Sequence, residues 1–372
     1  KQKTAYEISL GLVGSEMCIR DSYIFGHVEE ITSALGYSVS TIREQVLAFI
    51  VSSKRPLNLE KILAFFNNTF YAWKSAQYND FHAQYILKEN IKKSLIELNR
   101  WNFIETLDNM YKATKIGKKV SRLYLDPLTA KELLDVLLPW KRNKKFRRMD
   151  KKLLAANIFF AISKTPDISF IKSRLLINLK SLAQFIIQLP SKIVRTLKQI
   201  IPLNLFEKIK DISRGFHHYL DPYEEDILGS IGIVALLMLW IDEFPIKHIL
   251  TPFSPNFSGG DFRELIRISE WLIYCSRELS STIGLDISMI KMLETIRKRV
   301  EYGITEDLLE LVSIPGIGRV RARQLKNHGF DSLAKIANSS INDLIKIPGI
   351  GPTIANKIIR YCRQKVRFSK ID

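Results

Sequence analysis

The sequence predicts a mainly α protein: a winged helix with a short β-hairpin, then a helical bundle, then a tandem helix-hairpin-helix unit. Three observations predict it. Apolar residues recur at helical spacing along most of the chain. Period-two alternation is confined to one short pair of segments near residue 108. A glycine-rich pentapeptide occurs twice near the C-terminal end, beginning at Ile314 and again at Ile347. The 372 residues are enough for two or three cored domains, and the 46% hydrophobic content excludes a disordered chain.

The elements follow in order. Thr41 to Val51 and Asn58 to Trp73 carry helical periodicity, with Pro56 between them. Ala83 to Asn99 places Ile86, Leu87, Ile91, Leu95 and Leu98 on one side of a third helix. Phe103 to Leu107 and Met110 to Thr114 then read as two strands about an Asp108-Asn109 turn. Three helices and a hairpin make a winged helix, a module that serves either DNA or architecture. Pro139 and the basic run after it mark a boundary. From there to about Gly303 the prolines fall between periodic segments, which predicts a helical bundle. The expected domains are a tail over 1–22, a winged helix over 23–140, a bundle over 141–304 and the tandem unit over 305–372.

Charge points to the partner. Lys plus Arg number 56 and Asp plus Glu 38, a net +18. Between Lys141 and Lys152 most positions are basic. From Leu311 to Asp372 twelve Lys or Arg stand against three Asp, a net +9 and so half the excess. Such clustering suits a polyanion. Three separated cysteines exclude a disulfide framework and a CxxC zinc site, and the expected compartment is the cytoplasm. The longest uncharged stretch, Ile227 to Ile241, contains two glycines and falls short of the roughly 20 apolar residues that span a bilayer.

Ile314-Pro-Gly-Ile-Gly318 recurs as Ile347-Pro-Gly-Ile-Gly351. Each copy lies between a short apolar helix and a second helix that carries Ala322 or Ala355 one turn on. Gly316, Gly318, Gly349 and Gly351 let the backbone turn and approach a phosphate with no Cβ in the way. The amides opening the second helix then face that phosphate. Such contacts read backbone and not bases. Arg319, Arg321 and Arg323 begin the first copy's second helix, so the expectation is that they reach flanking phosphates. A second surface lies between Asp261 and Leu279. There Arg263, Arg267, Trp271 and Tyr274 follow at spacings of four, four and three beside an apolar face. Arginine beside an aromatic ring suits single strands, and an aromatic side chain in the core is the equally open alternative.

No GxxxxGK[ST] loop is present, and Asp242-Glu243 follows a helical run, so no ATP site can be built from this sequence. The adjacent His217-His218 give no metal spacing. No catalytic residue, cofactor site or metal site is therefore expected in this chain.

In this order, the three units resemble the C-terminal half of an archaeal Ski-like superfamily-two DNA-repair helicase, related to the helicase domain of DNA polymerase theta. The resemblance rests on Tyr23-Ile-Phe-Gly26, Leu123-Tyr-Leu-Asp-Pro-Leu-Thr-Ala130 and Trp240-Ile-Asp-Glu243. It continues through Gly260-Asp261, Glu270-Trp271-Leu272, and Tyr302-Gly303 into Ile314-Pro-Gly-Ile-Gly-Arg319. It implies an ATP-dependent enzyme moving 3′ to 5′ on single-stranded DNA at stalled forks, acting as a monomer without a membrane. ATP and Mg²⁺ would belong to motor domains missing from this chain, leaving it inactive alone. The family's bundle, called a ratchet, touches the strand by an arginine and a tryptophan. Trp271 matches the tryptophan, and Arg263 and Arg267 flank the arginine's place. The family's arginine-rich segment matches Arg319, Arg321 and Arg323. Residues 1–22 separately resemble translated sequencing-adapter read-through. The competing readings are a stand-alone DNA-binding scaffold and the accessory half of a structure-specific nuclease.

Overall fold

The computed structural model describes residues 31–36, 38–143, 146, 149–216 and 219–368. The expected 1–22 tail, Cys18, the match at 23–26, Lys144, Lys145, Arg147, Arg148 and the His217-His218 pair lie outside them. Among the described residues no helix is long and apolar enough to cross a membrane.

The chain is mainly helical with one three-stranded sheet. Helix α1 (Val39–Ser52) starts at Ser38, whose hydroxyl accepts from the Thr41 amide. Strand β1 (Leu57–Asn58) follows, then α2 (Leu59–Asn67) and α3 (Phe70–Gln77). The single helix expected over Asn58 to Trp73 is thus broken. Asn68 closes α2, and the Thr69 side chain caps α3 by accepting from the Ala72 amide. Helix α4 (Phe81–Arg100) leads into β2 (Ile104–Leu107) and β3 (Met110–Ala113), with sheet order β1-β3-β2. Asp108 and Asn109 both have positive φ (49° and 60°), as a two-residue loop between right-twisted strands requires.

Helix α5 (Lys115–Arg122) is followed by α6 (Pro127–Arg142). Pro139 lies inside α6 and does not end it. Leu137 and Trp140 are buried on either side of it, and their packing favours one more turn over the local preference of proline.

The bundle runs through α7 (Lys151–Ser163), α8 (Ser169–Leu176), α9 (Leu179–Ile187), α10 (Ser191–Leu197) and α11 (Leu203–Arg214). Then come α12 (Pro222–Ile241), α13 (Ile246–Leu250), α14 (Gly259–Ile283) and α15 (Ile287–Tyr302). Helix α12 is buried along nearly its whole length from Ile227 onward, which makes it the central rod of the bundle. Helix α14 packs on α5, α6, α7 and α15, and one apolar core extends from Ile42 to Val300. A separate core from Ile304 to Cys362 holds α16 (Leu309–Val312), α17 (Arg319–Asn327), α18 (Leu333–Ala337), α19 (Ile341–Ile345) and α20 (Pro352–Phe368).

Candidate nucleic-acid interface

The two glycine hairpins form one surface. Gly316 and Gly349 both sit at φ 82°, a left-handed backbone that disfavours any Cβ, and added Cβ atoms would enter open space. The repeat therefore holds for approach from outside and not for packing. Gly318 begins α17 in an extended conformation with no side-chain cap, so the opening amides of that helix are left for a ligand. The Ala355 amide bonds back to the Gly351 carbonyl, which starts α20 at the same point of the repeat. Arg321 joins the loops: its Nη1 donates to the Gly316 carbonyl at 3.0 Å and its Nε to the Gly349 carbonyl at 3.0 Å. One guanidinium thus sets both hairpins side by side, a pairing that the sequence spacing does not reveal.

The other two arginines of the segment face the bundle, not the open side. Arg319 lies 4.8 Å from the Trp240 ring centroid and donates to the Phe244 carbonyl at 2.8 Å. Its half-buried guanidinium has its pKa lowered by desolvation, which the Glu243 charge offsets in part. Arg323 donates to both Glu243 oxygens (2.9 and 2.6 Å) and to Asp307 at 3.1 Å. Thr305 adds its amide and hydroxyl to Glu243, at 3.0 and 2.7 Å, and Lys326 reaches Asp307 at 2.5 Å. Below them, buried Arg299 donates to the Ile241 and Ile304 carbonyls, both at 3.1 Å. Arg319 and Arg323 were expected beside phosphates. Here both bind protein groups, because Glu243 and Trp240 at the end of α12 meet the α17 face that carries them.

Two carboxylates at this joint hold their protons weakly. Burial alone would raise the Glu243 carboxyl, but bonds from Arg323 and Thr305 outweigh it and lower it. Burial likewise opposes Lys326 and Arg323 at Asp307, which sits far below the usual carboxylate range. A depressed carboxylate contributes stability above its unfolded pKa and loses it as pH falls through the folded value. The joint is therefore expected to hold fully above about pH 5 and to weaken progressively below about pH 4. Amide NMR shifts of residues 303–327 should move together over that range. No movement before global unfolding would refute this.

Helix α14 carries the second surface. A capping box between Ser258 and Asp261 fixes its start, and Gly284 at φ 73° ends it. Phe262, Leu265, Leu272 and Leu279 are buried as the apolar face, while Arg263, Arg267 and Tyr274 are exposed and Trp271 is half-buried against the core. Arg263 has no hydrogen-bond or carboxylate partner among the described residues. Arg267 forks onto Glu264 at 2.5 and 2.8 Å, an exposed i,i+3 pair of little worth that phosphate can displace. The stripe runs further than the sequence suggested, since Arg277 lies 5.0 Å from the Tyr274 ring centroid.

Residues 156–303 match the family description "Archaeal helicase, domain 4", and residues 308–364 match "SAM-like Helix-hairpin-helix tandem". ATP-dependent DNA helicase Hel308 of Pyrococcus horikoshii is 30% identical over 94% of this chain and 43% of its own length. The chain matches the C-terminal half of the archaeal Ski-like DNA helicases. The Hel308 of Pyrococcus abyssi is 29% identical over the same shares. That of Caldivirga maquilingensis is 31% identical over 86% of this chain and 39% of its own length. The chain thus spans less than half the length of the curated relatives it matches.

Proposed function

We propose that this chain is the DNA-gripping portion of an ATP-dependent helicase that moves 3′ to 5′ on single strands. It acts as a monomer in the cytoplasm at stalled or damaged forks. The observation that carries this is the joining of the two glycine hairpins by Arg321, with the amides that open α17 left uncapped beside the second glycine loop, which offers a phosphate cradle. Gly316, Gly318, Gly349 and Gly351 approach the backbone and Arg321 stands between them. On α14, Arg263 takes a phosphate, Trp271 stacks on a base, and Arg267 joins once released by Glu264. Arg319 and Arg323 belong to the joint. ATP and Mg²⁺ are held by motor domains in the remaining length of the relatives, so this chain alone hydrolyses nothing. Those domains also supply a partner for the exposed aromatics Phe70, Trp73, Tyr78, Phe81 and Tyr85.

Anisotropy titration of a labelled single strand with the full chain tests the reading. Trp271→Ala is expected to raise Kd by about 5- to 150-fold, the equivalent of roughly 1–3 kcal/mol of stacking. Arg263→Ala should lower the slope of log K against log salt by about 0.7, and Arg267→Ala by less because Glu264 already screens it. A flat salt response in the wild type, or Trp271→Ala at wild-type affinity, would overturn the assignment.

A further inference from the structure

The second copy of the repeat carries a helix longer than its hairpin needs. Laying Gly318 on Gly351 sets Arg319–Asn327 over Pro352–Arg360, so Tyr361 to Phe368 have no counterpart in the first copy. That extension is strongly basic. Ala355, Ile358, Ile359 and Cys362 face the core. On the outer side Lys357, Arg360, Gln364 and Arg367 follow at spacings of three, four and three, which makes a single stripe.

These four side chains, with Asn356 and Arg363, line an open groove of about 1250 Å³ against Ile341 of α19, and none of the hairpin glycines borders it. Lys357, Arg360 and Arg367 have no hydrogen-bond or carboxylate partner among the described residues. Arg363 is anchored by bonds from Nε to the Ala337 carbonyl at 3.0 Å and from Nη2 to the Ser339 carbonyl at 3.5 Å. Asp343, the acid of α19, caps its own helix through Ser340 and lies 3.7 Å from Lys346. Like charges three or four residues apart destabilise a helix slightly. On α15, by contrast, Arg297 is surrounded by Glu294, Glu301 and Glu270. An unneutralised stripe attracts an external polyanion.

We propose that the outer face of α20 binds the phosphate backbone of duplex DNA, at a site distinct from the hairpins and from α14. This rests on the DNA-binding reading above and adds the strandedness of what α20 holds. The lining explains the choice. The groove has aliphatic floor residues and no aromatic ring, so it cannot stack unpaired bases as α14 can. From Lys357 to Arg367 the helix rises about 15 Å, a length of duplex axis over which one strand carries roughly four charges. On a forked substrate the single strand then lies on α14 while the duplex arm lies on α20.

The test titrates the full chain with a single strand, a blunt duplex and a fork, in wild type and in Lys357→Glu/Arg360→Glu/Arg367→Glu. Loss of three contacts is expected to reduce the duplex salt slope by about 2.7 and to raise the duplex Kd roughly tenfold or more. Single-strand Kd should stay within about twofold, since α14 is untouched. The neutral Lys357→Gln/Arg360→Gln/Arg367→Gln variant, which keeps the helix, should move the duplex slope the same way. If wild type binds the single strand, Trp271→Ala weakens it, and the duplex slope ignores both triple variants, the α20 site is wrong and the α14 reading stands. If wild type binds no DNA, both are wrong. Equal losses on single strand and duplex would also overturn the proposal. So would displacement of duplex by polyglutamate at matched charge, since α20 would then be a docking face for acidic protein.

Discussion

Replacing Gly303 with alanine is expected to destabilise the protein by about 3–5 kcal/mol. Gly303 ends α15 at φ 65°, where a Cβ costs about 1 kcal/mol through backbone strain alone. The larger contribution is steric. A Cβ there would lie 2.3 Å from Cε2 and 2.4 Å from Cζ2 of Trp240. The indole cannot swing aside cheaply. Its Nε1 donates to the Val300 carbonyl at 2.7 Å, its ring meets Phe262 edge-on at 5.5 Å, and Arg319 lies over it. Displacing it forfeits the hydrogen bond and the cation–π contact, about 1 kcal/mol each, besides the packing. Gly284 supplies the control. It has φ 73° with nothing within 4 Å of an added Cβ, so Gly284→Ala should cost only the strain. Chemical denaturation of both variants measures the difference. If Gly303→Ala unfolds within about 1 kcal/mol of Gly284→Ala, the Trp240 indole yields to the added Cβ and the steric argument fails.

Which features the sequence disclosed follows from the range of the forces involved. The hairpins are legible because glycine at φ 82° is a local backbone demand, and Ile314-Pro-Gly-Ile-Gly318 states it twice. The Asp108-Asn109 turn is legible for the same reason. The α14 stripe was half legible. Spacing placed Arg263, Arg267, Trp271 and Tyr274 together, but only the fold shows Arg263 open and Arg267 held by Glu264. For Arg319 and Arg323 spacing gave a face and not the protein groups that the face meets. Their partners Trp240, Glu243 and Phe244 lie far away in the chain, at the end of α12. Pro139 shows the converse: its local penalty is real, and the burial of Leu137 and Trp140 exceeds it within α6. Glu243 had one signal. It ends the Trp240-Ile-Asp-Glu243 match, and in the structure it takes a left-handed φ of 66°, unusual for glutamate and stabilised by donors from Thr305 and Arg323.

That joint yields the second large expected effect, in which stability and DNA affinity separate. Arg323→Ala removes the group that neutralises Glu243 and Asp307 together. It leaves a half-buried carboxylate with only Thr305 as donor, which is expected to cost about 2–4 kcal/mol. The salt slope for single-strand binding should hardly change, because the Arg323 guanidinium is spent on Glu243, Asp307 and Thr305. An arginine acting as a phosphate ligand predicts the converse: little change in stability and a slope lower by about 0.7. Glu243→Gln strengthens the comparison, since it keeps the shape and removes the charge. Stability should fall again, while the released Arg323 and the less neutralised Arg319 leave affinity equal or higher. Denaturation and anisotropy on the same two variants therefore separate the assignments: stability falls with affinity kept or raised under the first, and affinity falls with stability kept under the second. Loss of DNA affinity in Arg323→Ala at unchanged stability would return that arginine to the DNA face and leave Glu243 without a structural role.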